Sequence, residues 1–206
     1  MYKCIYCDKP LNMLNFTNLF IEEDKLCIDC RNMMKKDIKY VDIGGIKVET
    51  FYDYDSLFKS LLIQYKECMD EALADIFLYT LKDHIRFKYL GYKIMFIPSS
   101  KAKLLKRGFN HLELIFADVK LDKINGLKMK QELIQEGKNI HQRQMMIDNY
   151  IYDGPKLDKV LIVDDVLTTG SSILGAINAL KPYAKSIKAL CIARKENAFI
   201  CKNKCV

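Results

Sequence analysis

Residues 160 to 172 read VLIVDDVLTTGSS, and this run constrains the fold more than any other part of the chain. Val160, Leu161, Ile162 and Val163 form an apolar, largely β-branched stretch with no polar alternation, the mark of a strand buried on both faces. Two adjacent carboxylates, Asp164 and Asp165, close it. A loop of small hydroxyl residues and one glycine follows (Thr168, Thr169, Gly170, Ser171, Ser172), and then apolar residues at helical spacing, Ile173, Leu174, Ile177 and Leu180. Strand, loop and helix in this order bring unpaired backbone N–H groups and the positive end of a helix dipole to a strand's carboxyl end. That is where open α/β sheets hold ligands. Such an end suits a phosphate. The four hydroxyls could donate to it, and the two carboxylates could accept from sugar hydroxyls, directly or through a hydrated Mg²⁺. The run lacks the GxxxxGK-S/T pattern of a P-loop, and no GxGxxG occurs in the chain.

Four cysteines near the start make a second motif. Cys4-x-x-Cys7 and Cys27-x-x-Cys30 are separated by Asp8 to Leu26, the interval of a Cys₄ zinc site in which each knuckle offers two thiolates to one ion. With no open ligand position, such a site is structural. The segment is too short to bury a core of its own, so Zn²⁺ binding would supply its folding free energy. Disulfides are the alternative, disfavoured by the intracellular compartment that the rest of the chain suggests. Lys9, Lys25, Arg31, Lys35 and Lys36 make the module mildly basic. Of the other cysteines, Cys191 reads as a core thiol, while Cys68, Cys201 and Cys205 have no metal spacing.

Between these motifs, residues 40 to 54 alternate apolar and polar around Gly44-Gly45, which predicts a β-hairpin with a tight turn. Residues 56 to 67 have helical periodicity with Ser56 as N-cap, and a second helix is expected over about 70 to 87 with Leu73, Ile76, Phe77 and Leu81 inward. A strand at 92–97 runs into Pro98-Ser99-Ser100-Lys101, and residues 104–119 are mostly helical after a break at Gly108. Residues 120–157 are polar and weakly patterned. A strand at 159–164, a helix at 172–181 and a strand at 186–194 complete the chain, so strands alternate with helices and a parallel sheet is implied. Ser99, Ser100 and Lys101, at the end of the earlier strand, would face the same cleft as the 164–172 loop. Lys103, Lys106 and Arg107 follow them.

The chain has 33 basic against 26 acidic residues, a net charge of +7 that favours phosphate-bearing ligands or nucleic acid over acidic protein surfaces. There is no 18-residue apolar stretch and the opening MYKCIYC has no apolar h-region. The expectation is a cytoplasmic protein with no membrane span.

The 160–172 run resembles the phosphoribosyl-pyrophosphate (PRPP) motif of type I phosphoribosyltransferases. In that family the acidic pair holds the ribose 2′ and 3′ hydroxyls, the TTGSS-like loop wraps the 5′-phosphate, and a loop after an earlier strand, here Ser99, Ser100 and Lys101, holds the pyrophosphate. The succession of a four-cysteine knuckle, YDY-x-S-L at 52–57, Lys66, a Pro-Ser strand end, Lys-Arg-Gly-Phe-Asn at 106–110 and VDDVLTTGSS is similar to the ComF family of competence proteins over nearly the whole chain. The resemblance implies an α/β fold: a type I phosphoribosyltransferase-like parallel sheet flanked by helices (38–206), with a small N-terminal Cys₄ zinc module (1–37). It implies structural Zn²⁺ on Cys4, Cys7, Cys27 and Cys30, Mg²⁺ with PRPP at 164–172, and a role in uptake and processing of transforming single-stranded DNA. The expected partners are other competence proteins such as a DNA-uptake helicase. Two departures stand out. His111 takes the place of the family's Gln, and the family's Gln-rich stretch is reduced here to Asn139, Gln142, Arg143 and Asn149. His111 itself reads as a polar helix residue. Besides a DNA-uptake factor, the residues allow an active phosphoribosyltransferase of nucleotide salvage or synthesis, with Asp164 and Asp165 as candidate catalytic groups, or a nucleotide-sensing regulator. Lys103, Lys106 and Arg107 are the candidate DNA contacts.

Overall fold

The computed structural model describes residues 3–11, 25–130, 147 and 149–195. Among these, six strands form one sheet in the order β1-β2-β8-β7-β3-β4: β1 (Lys36–Ile43), β2 (Ile46–Asp53), β3 (Lys93–Phe96), β4 (Lys123–Ile124), β7 (Leu157–Leu167) and β8 (Ala184–Arg194). Strand β1 pairs antiparallel with β2, and every other pairing in this sheet is parallel. A two-stranded antiparallel arm, β5 (Leu127–Met129) with β6 (Tyr150–Tyr152), lies apart from it in hydrogen bonding. Gly44 and Gly45 turn β1 into β2 with φ of 59° and 82°, the left-handed pair a two-residue hairpin turn requires.

β7 is central, and its apolar run shows why no polar alternation was needed. Leu161 and Val163 join the buried cluster on one face with Leu190 and Ile192. Val160 and Ile162 join the cluster on the other face with Ala189 and Cys191. The first face is covered by α2 (Ser56–Glu67), α3 (Ala74–Leu78), α4 (Lys82–Lys88) and α6 (His111–Ile115), through Phe58, Leu61, Phe77, Ile85, Leu112 and Ile115. The second is covered by α7 (Ser171–Leu180), whose Ile173, Ala176, Ile177 and Leu180 form the apolar stripe, and by Tyr150 and Tyr152 of β6. The fold is therefore an α/β sheet, parallel except for the β1–β2 hairpin and flanked by helices, in the class read from the sequence.

The four-cysteine segment packs on the first face. Cys4, Leu26, Cys30 and Met34 belong to the same buried cluster as Phe51 and Phe77. Lys25 pairs with Asp75 at 2.5 Å, and Arg31, on α1 (Ile28–Met33), donates to the Ile76 carbonyl at 2.9 Å while its guanidinium lies over the Tyr79 ring. Two of the basic residues of this segment thus hold it against α3.

Three local expectations need correction. The helix over 56–67 is capped by Asp55, whose Oδ1 accepts the Phe58 N–H at 2.8 Å, not by Ser56, which is already helical. The single helix expected over 70–87 is a 3₁₀ turn (Glu71–Leu73) followed by α3 and α4, although Leu73, Ile76, Phe77 and Leu81 are all buried as read. Over 104–119 the break at Gly108 is present as read, but a helix, α5 (Lys101–Arg107), precedes it, and the helix after it, α6, ends at Ile115. Within 120–157, residues 131–146 and 148 lie outside the described residues, and with them Asn139, Gln142 and Arg143, as do Cys201 and Cys205 at the chain's end. Asn149 is buried. Among the described residues no helix is long and apolar enough to cross a membrane.

Candidate functional site

Strands β3 and β7 are neighbours, and their outgoing connections diverge. The chain leaves β3 towards β4 on one side and leaves β7 towards β8 on the other. This is a topological switch point, the place in an open α/β sheet where a crevice forms at the carboxyl ends of the strands. Phe96 pairs with Val163, and the Ile97 N–H donates to the Val163 carbonyl at 3.0 Å. The loop beginning Pro98-Ser99-Ser100 therefore leaves β3 beside Asp164-Asp165, which lie within β7 and not past its end as expected: β7 outruns β3 and stays paired with β8 to Leu167, where the 168–172 loop begins.

The 168–172 loop is tightly built. Gly170 has φ 76°, and a Cβ there would meet Ile43 Cδ1 at 2.6 Å, so backbone conformation and packing both call for glycine. The Thr169 hydroxyl lies 3.0 Å from the Ser171 hydroxyl and accepts the Ser171 N–H at 3.4 Å. Ser171 is buried, Thr168 is exposed, and Ser172 is hydrogen-bonded to the Tyr150 hydroxyl. The loop opens α7, ten residues long, whose first turn offers backbone N–H groups towards it.

The Arg-Gly-Phe-Asn run is a helix stop and restart. Arg107 ends α5, Gly108 adopts φ 81° as its left-handed cap, and the Phe109 ring packs on Tyr65 at 5.4 Å. Asn110 then caps α6, its Oδ1 accepting the Leu112 N–H at 3.3 Å. At the other end of α5, the Ser100 hydroxyl accepts the Lys103 N–H at 3.4 Å, so Ser100 has a capping role beside any ligand role. Lys101, Lys103 and Lys106 are exposed, and Lys106 pairs with Glu67 at 2.8 Å. Arg107 differs from the lysines. It is buried, and its Nε donates to the Lys66 carbonyl at 3.2 Å, which joins the end of α5 to the end of α2.

Two residues beyond the acid pair complete the site, and neither stood among the candidate site residues. Lys66, at the end of α2, forms an ion pair with Asp165, and both side chains are largely buried. His111 Nε2 lies 2.9 Å from Asp165 Oδ2. His111 was expected as a polar helix residue. It is instead buried at 5% exposure, because the Gly108–Asn110 turn points the first residue of α6 at β7. Burial, with the charges of Lys66, Arg107 and Lys103, pushes its imidazole down to about 2. It is therefore neutral and donates its Nε2–H to the carboxylate, which leaves Nδ1 an acceptor. Asp165 Oδ1 accepts the Val166 N–H at 2.6 Å, and Asp164 Oδ1 accepts the Asp165 N–H at 2.9 Å. Burial pushes the Asp164 carboxyl up to about 6 against the pull of Lys66 and Lys103. Burial likewise pushes the Lys66 ammonium below its ordinary range, with Asp164 pulling it back. The Tyr65 hydroxyl donates to the His111 carbonyl at 2.7 Å and ties α2 to α6.

Two buried polar atoms here have no hydrogen-bond partner, Arg107 Nη1 and His111 Nδ1. One is a donor and the other an acceptor, and an orphan of either kind costs about 1–3 kcal/mol unless water or a ligand meets it. A hydroxyl group can serve both kinds of atom, which suits a polyol or a bound water. For a divalent ion the donor set is poor, since both Asp165 oxygens are engaged and an ammonium stands against one of them. The residues do not fit Mg²⁺ held directly by this pair.

The cysteine cluster is the opposite case. Cys4, Cys7, Cys27 and Cys30 bring their sulfurs within 4.8 Å of one another, with Cys7 and Cys27 at 3.6 Å. A tetrahedral ion with sulfur at about 2.3 Å places its ligands roughly 3.8 Å apart, so the four can hold one metal ion. Burial opposes ionisation of Cys4, but hydrogen bonds from the backbone of Cys27, Cys7 and Tyr6 hold its thiol down to about 7.

No family model matches the chain. The competence protein ComFC of Streptococcus pneumoniae (strain ATCC BAA-255 / R6) is 25% identical over 220 residues, covering 93% of this chain and 100% of that one. Among solved structures, a hypoxanthine phosphoribosyltransferase from Staphylococcus aureus covers 62% of this chain and 66% of its own at 15% identity, with a TM-score of 0.41. An adenine phosphoribosyltransferase covers 82% and 91% at 14% identity, with a TM-score of 0.43. Along nearly its whole length, then, the chain is similar to a competence protein of the ComF type.

Proposed function

We propose that this chain is a ComF-like competence factor that supports uptake and processing of transforming single-stranded DNA and carries a PRPP-type site for a phosphorylated ribose. The observation that carries the ligand half is the meeting of the 98–100 loop, the acid pair on the last part of β7 and the 168–172 loop that follows it, at the switch point between β3 and β7. In this reading Thr168, Thr169, Gly170, Ser171 and Ser172 wrap the 5′-phosphate, Asp164 accepts from the ribose hydroxyls, and Ser99, Ser100 and Lys101 take the pyrophosphate. A structural Zn²⁺ on Cys4, Cys7, Cys27 and Cys30 orders residues 1–37 as a module on a phosphoribosyltransferase-like unit, 38–206. The competence half rests on the similarity to ComFC. Its partners would be single-stranded DNA and other competence proteins, a DNA-uptake helicase among them. Lys101, Lys103 and Lys106 are the exposed cations that would meet DNA phosphates. Arg107, being buried, would act on the ligand instead.

A second reading, a nucleotide-binding regulator without turnover, draws support from Asp165. A carboxylate tied to Lys66, His111 and a backbone N–H is poorly free to work on a reacting ribose. Calorimetry with PRPP followed by a screen for pyrophosphate release with each nucleobase separates the readings. Binding with no release favours the factor or the regulator, release with one base makes the chain an enzyme, and no binding removes the ligand reading. Titration of a labelled oligonucleotide at rising salt tests the DNA half. Affinity should fall steeply as counterions compete, and no binding at micromolar protein leaves a protein-partner role.

A further inference from the structure

The acid pair already contains a cation. Asp165 Oδ1 accepts the Val166 N–H, while Oδ2 receives both the His111 Nε2–H and the Lys66 ammonium. Lys66 is not a surface side chain that happens to reach this carboxylate. Its side chain is only 18% exposed, its carbonyl is gripped by Arg107 Nε at 3.2 Å, and its neighbour Tyr65 is anchored to the His111 carbonyl at 2.7 Å. The end of α2 is therefore fixed from two sides with the ammonium directed at β7. Lys103 and Arg107 add positive charge around the two carboxylates, Lys103 acting on Asp164 and both acting on His111. A divalent ion the size of Mg²⁺ needs near-octahedral oxygen ligands at about 2.0–2.1 Å. At this pair it would find Asp165 consumed, one Asp164 oxygen engaged by a backbone N–H, and an ammonium already in the pocket.

We infer that Lys66 is the resident cation of the acid pair, standing where a divalent ion would otherwise bind, so that a phosphorylated ribose is held at 164–172 without a metal requirement. The ligand half rests on the function proposed above; the claim about the cation does not. Lys66 is a positioning residue here. It neutralises Asp165 and fixes its rotamer, leaving Asp164 as the carboxylate that meets the sugar. His111 supports it by donating to the same oxygen while remaining neutral, so that it adds no second positive charge.

Manganese alone is the first probe. The full chain as purified is titrated with Mn²⁺ at neutral pH, and free ion is read by electron paramagnetic resonance. The expected result is that wild type and Asp165→Asn bind Mn²⁺ alike, while Lys66→Met gains a site that is lost again in the Lys66→Met/Asp165→Asn double variant. Wild-type protein that binds Mn²⁺ and loses it on Asp165→Asn overturns the inference, and this arm stands even where Lys66→Met fails to fold. Calorimetry with ribose 5-phosphate, in buffer freed of divalent ions and again with millimolar Mg²⁺, is the second arm. An affinity unchanged within about twofold supports the inference, and a gain of about tenfold or more with Mg²⁺ overturns it. Failure of ribose 5-phosphate to bind in either buffer counts against the ligand reading of the site alone, and the manganese titration then decides the identity of the cation.

Discussion

Gly170→Ala tests how the phosphate loop is held, and its cost can be worked from two contacts. At φ 76° a residue with a Cβ gives up about 1–2 kcal/mol relative to glycine. The new methyl would also stand 2.6 Å from Ile43 Cδ1, where carbon atoms prefer about 3.5–4.0 Å. Ile43 is 2% exposed at the end of β1, so its side chain has little room to retreat, and overpacking of this kind costs about 1–3 kcal/mol. Together the variant should lose roughly 2–5 kcal/mol of stability, towards the lower end if the Ile43 tip turns aside. Urea unfolding followed by circular dichroism reads this as a lower midpoint at unchanged slope. The second contribution can be isolated. Ile43→Val removes the clashing atom and by itself costs about 0.5–1.5 kcal/mol. The double variant should then be more stable than the sum of the two single losses by about 1 kcal/mol, since the clash is gone and only the φ cost remains. Two results would refute the reasoning. A Gly170→Ala protein within about 0.5 kcal/mol of wild type would mean the loop is not held in this conformation. Strict additivity in the double variant would mean that the hairpin turn and the loop do not touch.

Other outcomes follow from the same site. Asp164 is raised in the folded state to about 6 by burial, so its contribution to stability is complete below the unfolded value of about 3.9 and is lost as pH rises through 6. Asp164→Asn should therefore be more stable than wild type by roughly 2–3 kcal/mol at pH 7 to 8 and indistinguishable near pH 3.5; a difference independent of pH would contradict the burial of this carboxyl. His111→Gln keeps a donor to Asp165 and removes the buried imidazole acceptor, so stability should change by less than about 1.5 kcal/mol, while His111→Leu, which leaves Asp165 short of a donor, should lose about 1–3 kcal/mol. Cys30→Ser should lower bound zinc well below one per chain and open residues 3–34 to protease before the sheet unfolds; protein that carries no metal at all by elemental analysis would remove the zinc assignment.

The parts of this fold that could be read from the sequence are those written in short range. The β7–α7 unit announces itself because a doubly buried strand needs an unbroken apolar run, and a loop pressed on Ile43 needs a glycine. The Gly44-Gly45 hairpin and the two CxxC knuckles are equally local. What could not be read depends on distant partners. Lys66, His111 and Asp165 come from three elements, with His111 45 positions after Lys66 and Asp165 54 positions after His111, so no spacing announces their meeting. Lys66 appeared only as one mark in a family pattern. His111 read as polar because its neighbours in α6 are of mixed polarity, whereas the Gly108 cap turns it inward. Arg107 looked like one more cation in a basic run, and only the fold of that run against α2 separates it from Lys101, Lys103 and Lys106. The break after α2 was read, but the breaks inside the helix expected over 70–87 were missed because apolar residues continue through them. Met69, at φ 58°, turns the chain where the pattern alone predicts a helix to begin at residue 70.

The most direct measurement is calorimetric titration of PRPP into wild-type protein, Asp164→Asn and Thr168→Val. Both changes are isosteric, and neither removes the Lys66–Asp165 ion pair or the His111–Asp165 hydrogen bond. A hydrogen bond to a charged group contributes about 1.5–3 kcal/mol, so each variant should bind PRPP roughly tenfold to a hundredfold more weakly than wild type. Saturable binding of one PRPP per chain, weakened in both variants, is the predicted result. No heat at millimolar PRPP, or equal affinity in all three proteins, would contradict a phosphorylated-ribose site at the carboxyl end of β7.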